Sequence, residues 1–379
     1  MLFRRLYILV IVAASFYIAE TASANNGITS TEIVIGQSVD LTGPTAGLGK
    51  DARLGAQTYF DSLNSRGGIN GRKIVLKTLD DGGLPERAAA NTKKLIEEEK
   101  VFALFGYIGG APCSAAIPVF SAAKVPFIGA LNGNNVLRHP FNRYIFNVRA
   151  SFDDETDKII EQLTSLGITK IAIFHPDDAV GNVARAGAEA SMKKRGLSLV
   201  ATGAFGRAGS DFSPMVKVIS EANPQAVIII SPYKIAARFI KQMKSAGSSP
   251  QFMTLSVVGP SELARELGKD SRGVGTTQVV PFPFSRTTHL VMDYQSNMSA
   301  RGNKEFSFTS LESFMAAKVL TEALKRTGQN LSREKLISTM EEMSKVDLGG
   351  VMISYSPTDH SGSKFVDITV IGANGKFLQ

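Results

Sequence analysis

Between residues 30 and 270, short β-rich runs alternate with helical patterns almost without interruption, and this rhythm constrains the fold more than any other property of the chain. The runs are EIVIG (32–36), KIVLKTL (73–79), VFALFG (101–106), VPFIGAL (125–131), KIAIFH (170–175), LSLVATG (197–203), AVIIIS (226–231) and QFMTLS (251–256). Several are continuous apolar stretches, as a strand needs when both of its faces are covered. Between them lie amphipathic patterns. In 50–66, Ala56, Tyr59, Phe60 and Leu63 share one helical face, and 84–98, 153–166, 181–195 and 232–246 behave alike. Such alternation implies α/β architecture, with parallel sheets covered on both faces by helices. It falls into two blocks, 30–140 and 168–270, each long enough for its own doubly wound lobe. Longer helical patterns follow at 286–302, 308–327 and 331–344, and then the strand-like VDITVIG (366–372). That order predicts a chain that crosses between lobes more than once. In open parallel sheets ligands sit beyond the carboxyl ends of strands, so two facing sheets would hold a ligand between them.

Two lobes also suit the length, because 379 residues exceed what one hydrophobic core ordinarily serves. The first 24 residues are read as a leader: MLFRR is basic, Leu6 to Ala19 is apolar, and Ala22-Ser23-Ala24 is a small-x-small cleavage site. The apolar part is too short to span a bilayer, so the expected location is the periplasm. Without the leader, 40 basic and 33 acidic residues leave a net charge of +7. The charges are scattered, with KKRG (193–196) and KK (93–94) the densest basic groups, and no reader motif for nucleic acid accompanies them. One cysteine, Cys113, excludes an internal disulfide.

The local motifs that suggest chemistry fail in detail. GPTAGLGKDA (43–52) resembles a phosphate loop, but five residues separate Gly43 from Gly49 and Asp51 follows Lys50 where a hydroxyl should stand. Gly106, Gly109 and Gly110 are spaced G-x-x-G-G, not as in a dinucleotide fingerprint. Cys113 sits near a predicted helix start, yet His139, His175, His289 and His360 carry no local signature of a base for it. It reads as a small buried apolar residue. Those histidines show no metal-ligand spacing either. Asp80-Asp81 and Asp177-Asp178 follow strands and remain open between a site and a turn, whereas Asp153-Asp154 read as the opening of a helix. What remains for YIGGAPCS (107–114) is a backbone role: glycines bring N–H groups to the surface, and a helix beginning there aims its positive end at an anion. GALNGNN (129–135) repeats the arrangement after the next strand.

With those residues in view, the chain resembles the type I periplasmic solute-binding proteins of the leucine/isoleucine/valine-binding group, the receptors of branched-chain amino-acid-type ABC importers. The likeness covers nearly all of 30–379. Its most specific part is LNSRGGINGRKIVLKTLDDGGLPERAAANTKKLI (63–96), and IGQSVDLTGP (35–44), KIAIFHPDDAVG (170–181) and FIKQMKSAG (239–247) add to it. The resemblance implies two Rossmann-like lobes joined by a three-stranded hinge and closing on a ligand. It places the crossings near 147–150, 277–281 and 348–351. The first lobe is then 25–148 plus 280–348, and the second 149–279 plus 349–379.

The resemblance also assigns the site. Gly110, Ala111 and Ser114 would hold an anionic group, Asn132 and Gly133 would orient it, and Leu48 would form a wall. Asp178, Tyr233 and Ser256 would complete the second lobe, with Val180 beside them. Relative to the amino-acid pattern, Gly110 replaces a hydroxyl residue, Ser256 replaces the acid that receives an ammonium group, and Leu48 and Val180 replace aromatics. The expected protein is a monomeric receptor, not an enzyme, with no cofactor or metal. It captures a small polar ligand, an amino acid or a related carboxylate or amide, for an ABC-type membrane permease. The alternative is a sensory module of the same fold that presents its ligand to a chemoreceptor or kinase.

Overall fold

The computed structural model describes residues 26–206 and 211–379, the side chains of 179, 180 and 374 excepted. The expected leader (1–24) and the wall position at Val180 therefore lie outside the described residues. The first sheet has the order β2-β1-β3-β4-β5, from β1 (Glu32–Val39), β2 (Lys73–Asp80), β3 (Ala103–Phe105), β4 (Phe127–Ile128) and β5 (Ile145–Phe146). All of its pairings are parallel. Its helices are α1 (Ala46–Ser65), α2 (Pro85–Glu97) and α3 (Gly110–Ala122). The four apolar residues picked out in α1 are all buried, as their spacing requires.

The chain then enters the second lobe through α4 (Phe152–Ser165), which starts on a capping box: Ser151 Oγ accepts from the Asp154 N–H, and the Asp154 carboxylate accepts from the Ser151 N–H. The strands are β6 (Ile171–Pro176), β7 (Ala201–Phe205), β8 (Ala226–Ile229), β9 (Gln251–Thr254) and β10 (Gly275–Gln278). The helices are α5 (Ala179–Lys194), α6 (Ser213–Glu221), α7 (Tyr233–Ser245) and α8 (Pro260–Leu267). These strands run β10-β9-β8-β6-β7, the same doubly wound order as in the first lobe. β10 has no apolar run to announce it. Its buried threonines pair with polar partners instead: Thr276 Oγ1 lies 2.9 Å from Thr254 Oγ1.

A second crossing returns the chain to the first lobe for α9 (His289–Ala300), α10 (Phe308–Thr327) and α11 (Arg333–Glu341). α10 is buried on nearly every face and packs along α1. The hairpin of β11 (Val346–Asp347) and β12 (Met352–Ile353) follows, and then β13 (Asp367–Ile371) and β14 (Phe377–Leu378) extend the second sheet antiparallel. Residues just after 348–351, where the third crossing is expected, pack against the first lobe. Val351, Ile353 and Tyr355 belong to the first lobe's core. Asn147 still pairs with Ser361, and the His360 ring stacks on Phe146 at 3.8 Å. Of β12, Ile353 is buried in that core and Met352 is exposed.

Candidate functional site

In both sheets the strand order reverses beside the first strand, between β1 and β3 and between β6 and β8. The loops leaving those strands form the natural ligand crevice. Of the candidate residues, Leu48 follows β1, Gly110, Ala111 and Ser114 follow β3, Asp178 follows β6 and Tyr233 follows β8, whereas Asn132 and Gly133 follow β4 and Ser256 follows β9, the next strand outward in each sheet.

Gly109 precedes α3 with φ 88°, a conformation that favours glycine. Within α3 the first backbone donor to close a turn is Cys113 N–H, which reaches Gly109 O at 3.1 Å. Pro112 has no N–H, so the amides of Gly110 and Ala111 are the orphan donors of this helix end. Ser114 is less available than expected, because its hydroxyl donates to Gly110 O at 2.8 Å. Cys113 is fully buried, and burial pushes its thiol well above the ordinary range, so it is no thiolate nucleophile. Asn132 is buried and its Oδ1 accepts from the Asn134 N–H at 2.8 Å. A Cβ on Gly133 would stand 2.4 Å from Phe152 Cδ1, so only glycine lets the second lobe's first helix come this close.

The acidic pairs resolve into turns. Asp80 accepts from Leu41 N–H at 2.8 Å and Thr42 Oγ1 at 2.7 Å, and Asp81 accepts from Ser38 Oγ at 2.8 Å. Burial raises the pKa of Asp81; for Asp80 burial acts in the same sense, but bonds from Thr42, Leu41 and Gly82 outweigh it and lower the pKa. The phosphate-loop look-alike is likewise a turn, gathered by Asp40, whose carboxylate accepts from Thr45 N–H and Oγ1 at 2.7 Å each. Asp178 caps α5, accepting from Gly181 N–H at 2.9 Å. Among the described residues no cluster of His, Cys, Asp or Glu could hold a metal ion.

The two walls touch. Tyr233 Oη donates to Pro44 O at 3.1 Å, and Leu48 packs over Gly259, where a Cβ would lie 2.4 Å from Leu48 Cδ2. Tyr233→Phe deletes that inter-lobe bond. It should weaken binding of a cleft ligand about 2–10-fold, measured by isothermal titration, and unchanged affinity would show that the contact does not contribute to closure.

Behind Ser256 lies a buried cluster that the sequence reading did not find. Arg149, on the first crossing, bonds Glu155 of α4 at 2.5 Å and Glu312 of α10 at 3.1 Å. It also donates to Ser256 Oγ. Glu155 Oε2 accepts from Ser256 N–H at 2.8 Å and from Thr277 Oγ1 at 2.5 Å. Thus the position expected to lack an acid faces a guanidinium, and the carboxylate beside it, Glu155, already accepts from three protein donors. Burial pushes the Glu312 carboxyl up; Arg149 opposes this and Glu155 reinforces it. The one signal in the sequence was Glu312 itself, an acid inside the apolar helix pattern LESFMAAKVL (311–320).

Two facing α/β lobes, three crossings and a crevice lined by strand-end loops define a solute-binding protein of the periplasmic type. The chain belongs to this family: the model described as periplasmic binding protein matches residues 32–376. It is 27% identical over 314 residues to the Leu/Ile/Val-binding protein homolog 7 of Brucella abortus (strain 2308), covering 78% of each chain. Among solved structures it is similar to a possible leucine/isoleucine/valine-binding protein from Rhodopirellula baltica SH 1, with TM-score 0.87 and 29% identity, covering 92% of this chain and 96% of that one. A substrate-binding periplasmic protein from Ralstonia solanacearum gives TM-score 0.85 and 31% identity, covering 92% and 100%. The fold is therefore the type I periplasmic binding protein fold of the leucine/isoleucine/valine-binding group, whose members bind solutes outside the cytoplasm and are not enzymes.

Proposed function

We propose that this protein captures a small carboxylate- or amide-bearing solute between its lobes and delivers it to an ABC-type membrane permease. The observation that carries this reading is the pair of orphan amides, Gly110 and Ala111, at the start of α3. They offer donors and a helix dipole to an anionic group, with Asn132 and Gly133 beside them and Leu48, Asp178, Tyr233 and Ser256 closing the remaining walls. Closure then follows from differential affinity, since a ligand that touches both lobes favours the arrangement in which they meet.

The ligand class follows from the opposite wall. A buried ammonium needs a carboxylate. Ser256 Oγ is occupied by Arg149, and Glu155 accepts from Arg149, Ser256 and Thr277. This favours organic acids, aromatic acids, amides or ureas over a branched-chain amino acid. A thermal-shift screen across those classes and amino acids tests it. A true ligand at about one hundred times its Kd stabilises the native state by about 2.7 kcal/mol. A shift confined to branched-chain amino acids would overturn the ligand class. Gly110→Leu should fold, because residue 110 has ordinary helical backbone, and should lose the shift; a retained shift would remove α3 from the site.

A further inference from the structure

A concavity lies on the flank where α1, α8, the second crossing and the chain's end converge. It is an open concavity of about 1450 Å³. None of the nine candidate cleft residues lines it. The first lobe contributes Asp51 and Leu54 from α1 and the segment 302–307; the second contributes one face of α8, residues of the turn after it such as Lys269 and Arg272, and Lys376 and Phe377 near the chain's end.

Its chemistry is two-sided. Five cations line it: Arg265, Lys269, Arg272, Lys304 and Lys376. Only Arg265 has an ion-pair partner among the described residues, Glu262 at 2.6 Å. The acids present are Glu305 and Asp51, and Asp51 is pushed up by burial and bonded by Ser307 Oγ at 2.6 Å. Against this positive rim stands an aromatic floor of Phe282, Phe284, Phe306 and Phe377. Phe284 and Phe377 stack nearly parallel at 5.9 Å, and Phe284 remains exposed. Uncompensated cations around an exposed aromatic surface match a molecule with an anionic head and an apolar body. A cavity this size exceeds the roughly 300–1,000 Å³ of ordinary small-ligand sites, which suits an elongated occupant.

We propose that this flank cavity is a second ligand site, distinct from the cleft, for an amphiphilic organic anion held by Lys269, Arg272 and Lys304 over the Phe284–Phe377 pair. The probe is 8-anilinonaphthalene-1-sulfonate, titrated into the purified protein and followed by its fluorescence. Saturable binding with one equivalent is expected. Charge reversal by Lys269→Glu/Arg272→Glu on one lobe, or Lys304→Glu with Phe284→Ala across the cavity, should raise the probe's Kd about tenfold. Lys93→Glu/Lys94→Glu, an equal charge change on exposed positions of α2, should leave it unaltered. Gly110→Leu should also leave it unaltered, which separates this site from the cleft. Unsaturable binding, or equal Kd values for cavity and α2 variants whose circular dichroism matches the parent, would overturn the proposal.

Discussion

Replacing Arg149 by methionine is expected to lower folding stability by about 3–5 kcal/mol, the usual consequence of removing one partner from a buried ion pair. The guanidinium is buried and bonds two carboxylates that reach it from different lobes, Glu155 and Glu312. Burial alone would lower the pKa of Arg149; those two carboxylates outweigh it and raise the pKa. Without it, the buried Glu312 carboxylate is left beside Glu155 with no counter-ion, and its own pKa is pushed further up.

This fixes the sign of the pH dependence. Glu312 already has its pKa raised in the folded protein, so the native state binds protons more readily than the unfolded chain. Its contribution is therefore most favourable below the unfolded value and declines as pH rises through the folded value. Removing Arg149 raises the folded value further, so the deficit of Arg149→Met should be larger at about pH 8 than at about pH 5. Urea denaturation at both pH values measures it. Arg149→Met/Glu312→Leu should recover part of the loss by removing one stranded charge. A deficit below about 1 kcal/mol at both pH values would refute the assignment of the cluster as an electrostatic joint between the lobes.

The second large effect belongs to Gly55. A Cβ at this position on α1 would lie 1.9 Å from Ser310 O and 2.9 Å from Ser310 Cα. Both atoms are backbone of α10, so no rotamer change relieves the clash and the two helices must separate. Gly55→Leu should therefore destabilise the first lobe by about 3 kcal/mol or more, at the upper end of overpacking costs, because separation also strips contacts from the core that α1 and α10 share. Gly71→Leu is a poor control because its φ is 81°. Arg53→Leu, on an exposed position of α1, provides the comparison and should change stability by less than about 0.5 kcal/mol. Equal denaturation midpoints for the two variants would show that α1 and α10 do not meet as closely as the structure has them.

Local pattern carried most of the fold. Helix α10 spans 308–327 as its pattern implies, and β2 and β6 begin or end within a residue or two of their apolar runs. Their signal is burial on a fixed period, which side chains report without reference to anything distant. The run LSLVATG predicts a strand over 197–203, whereas β7 occupies Ala201–Phe205. Leu197 and Leu199 pack on the second lobe's core before the strand begins. β10 stayed hidden for the opposite reason, since Gly275–Gln278 buries threonines and a glutamine against polar neighbours rather than apolar ones. The glycine-rich bend at 107–114 was legible as a backbone feature, because a proline and glycines beside a strand end restrict what the chain can do there.

What the sequence alone determined, then, is the class: α/β architecture with two doubly wound parallel-sheet lobes. These follow from interactions between near neighbours in the chain. The tertiary structure alone decided the ionic joint of Arg149, Glu155 and Glu312, the packing of Val351, Ile353 and Tyr355 in the first lobe's core, and the cationic aromatic cavity on the flank. Each joins residues far apart in sequence, some by 163 positions. A charge on a linear chain looks the same whether it ends in water or in a core; only packing determines its dielectric surroundings and partners, and with them its role.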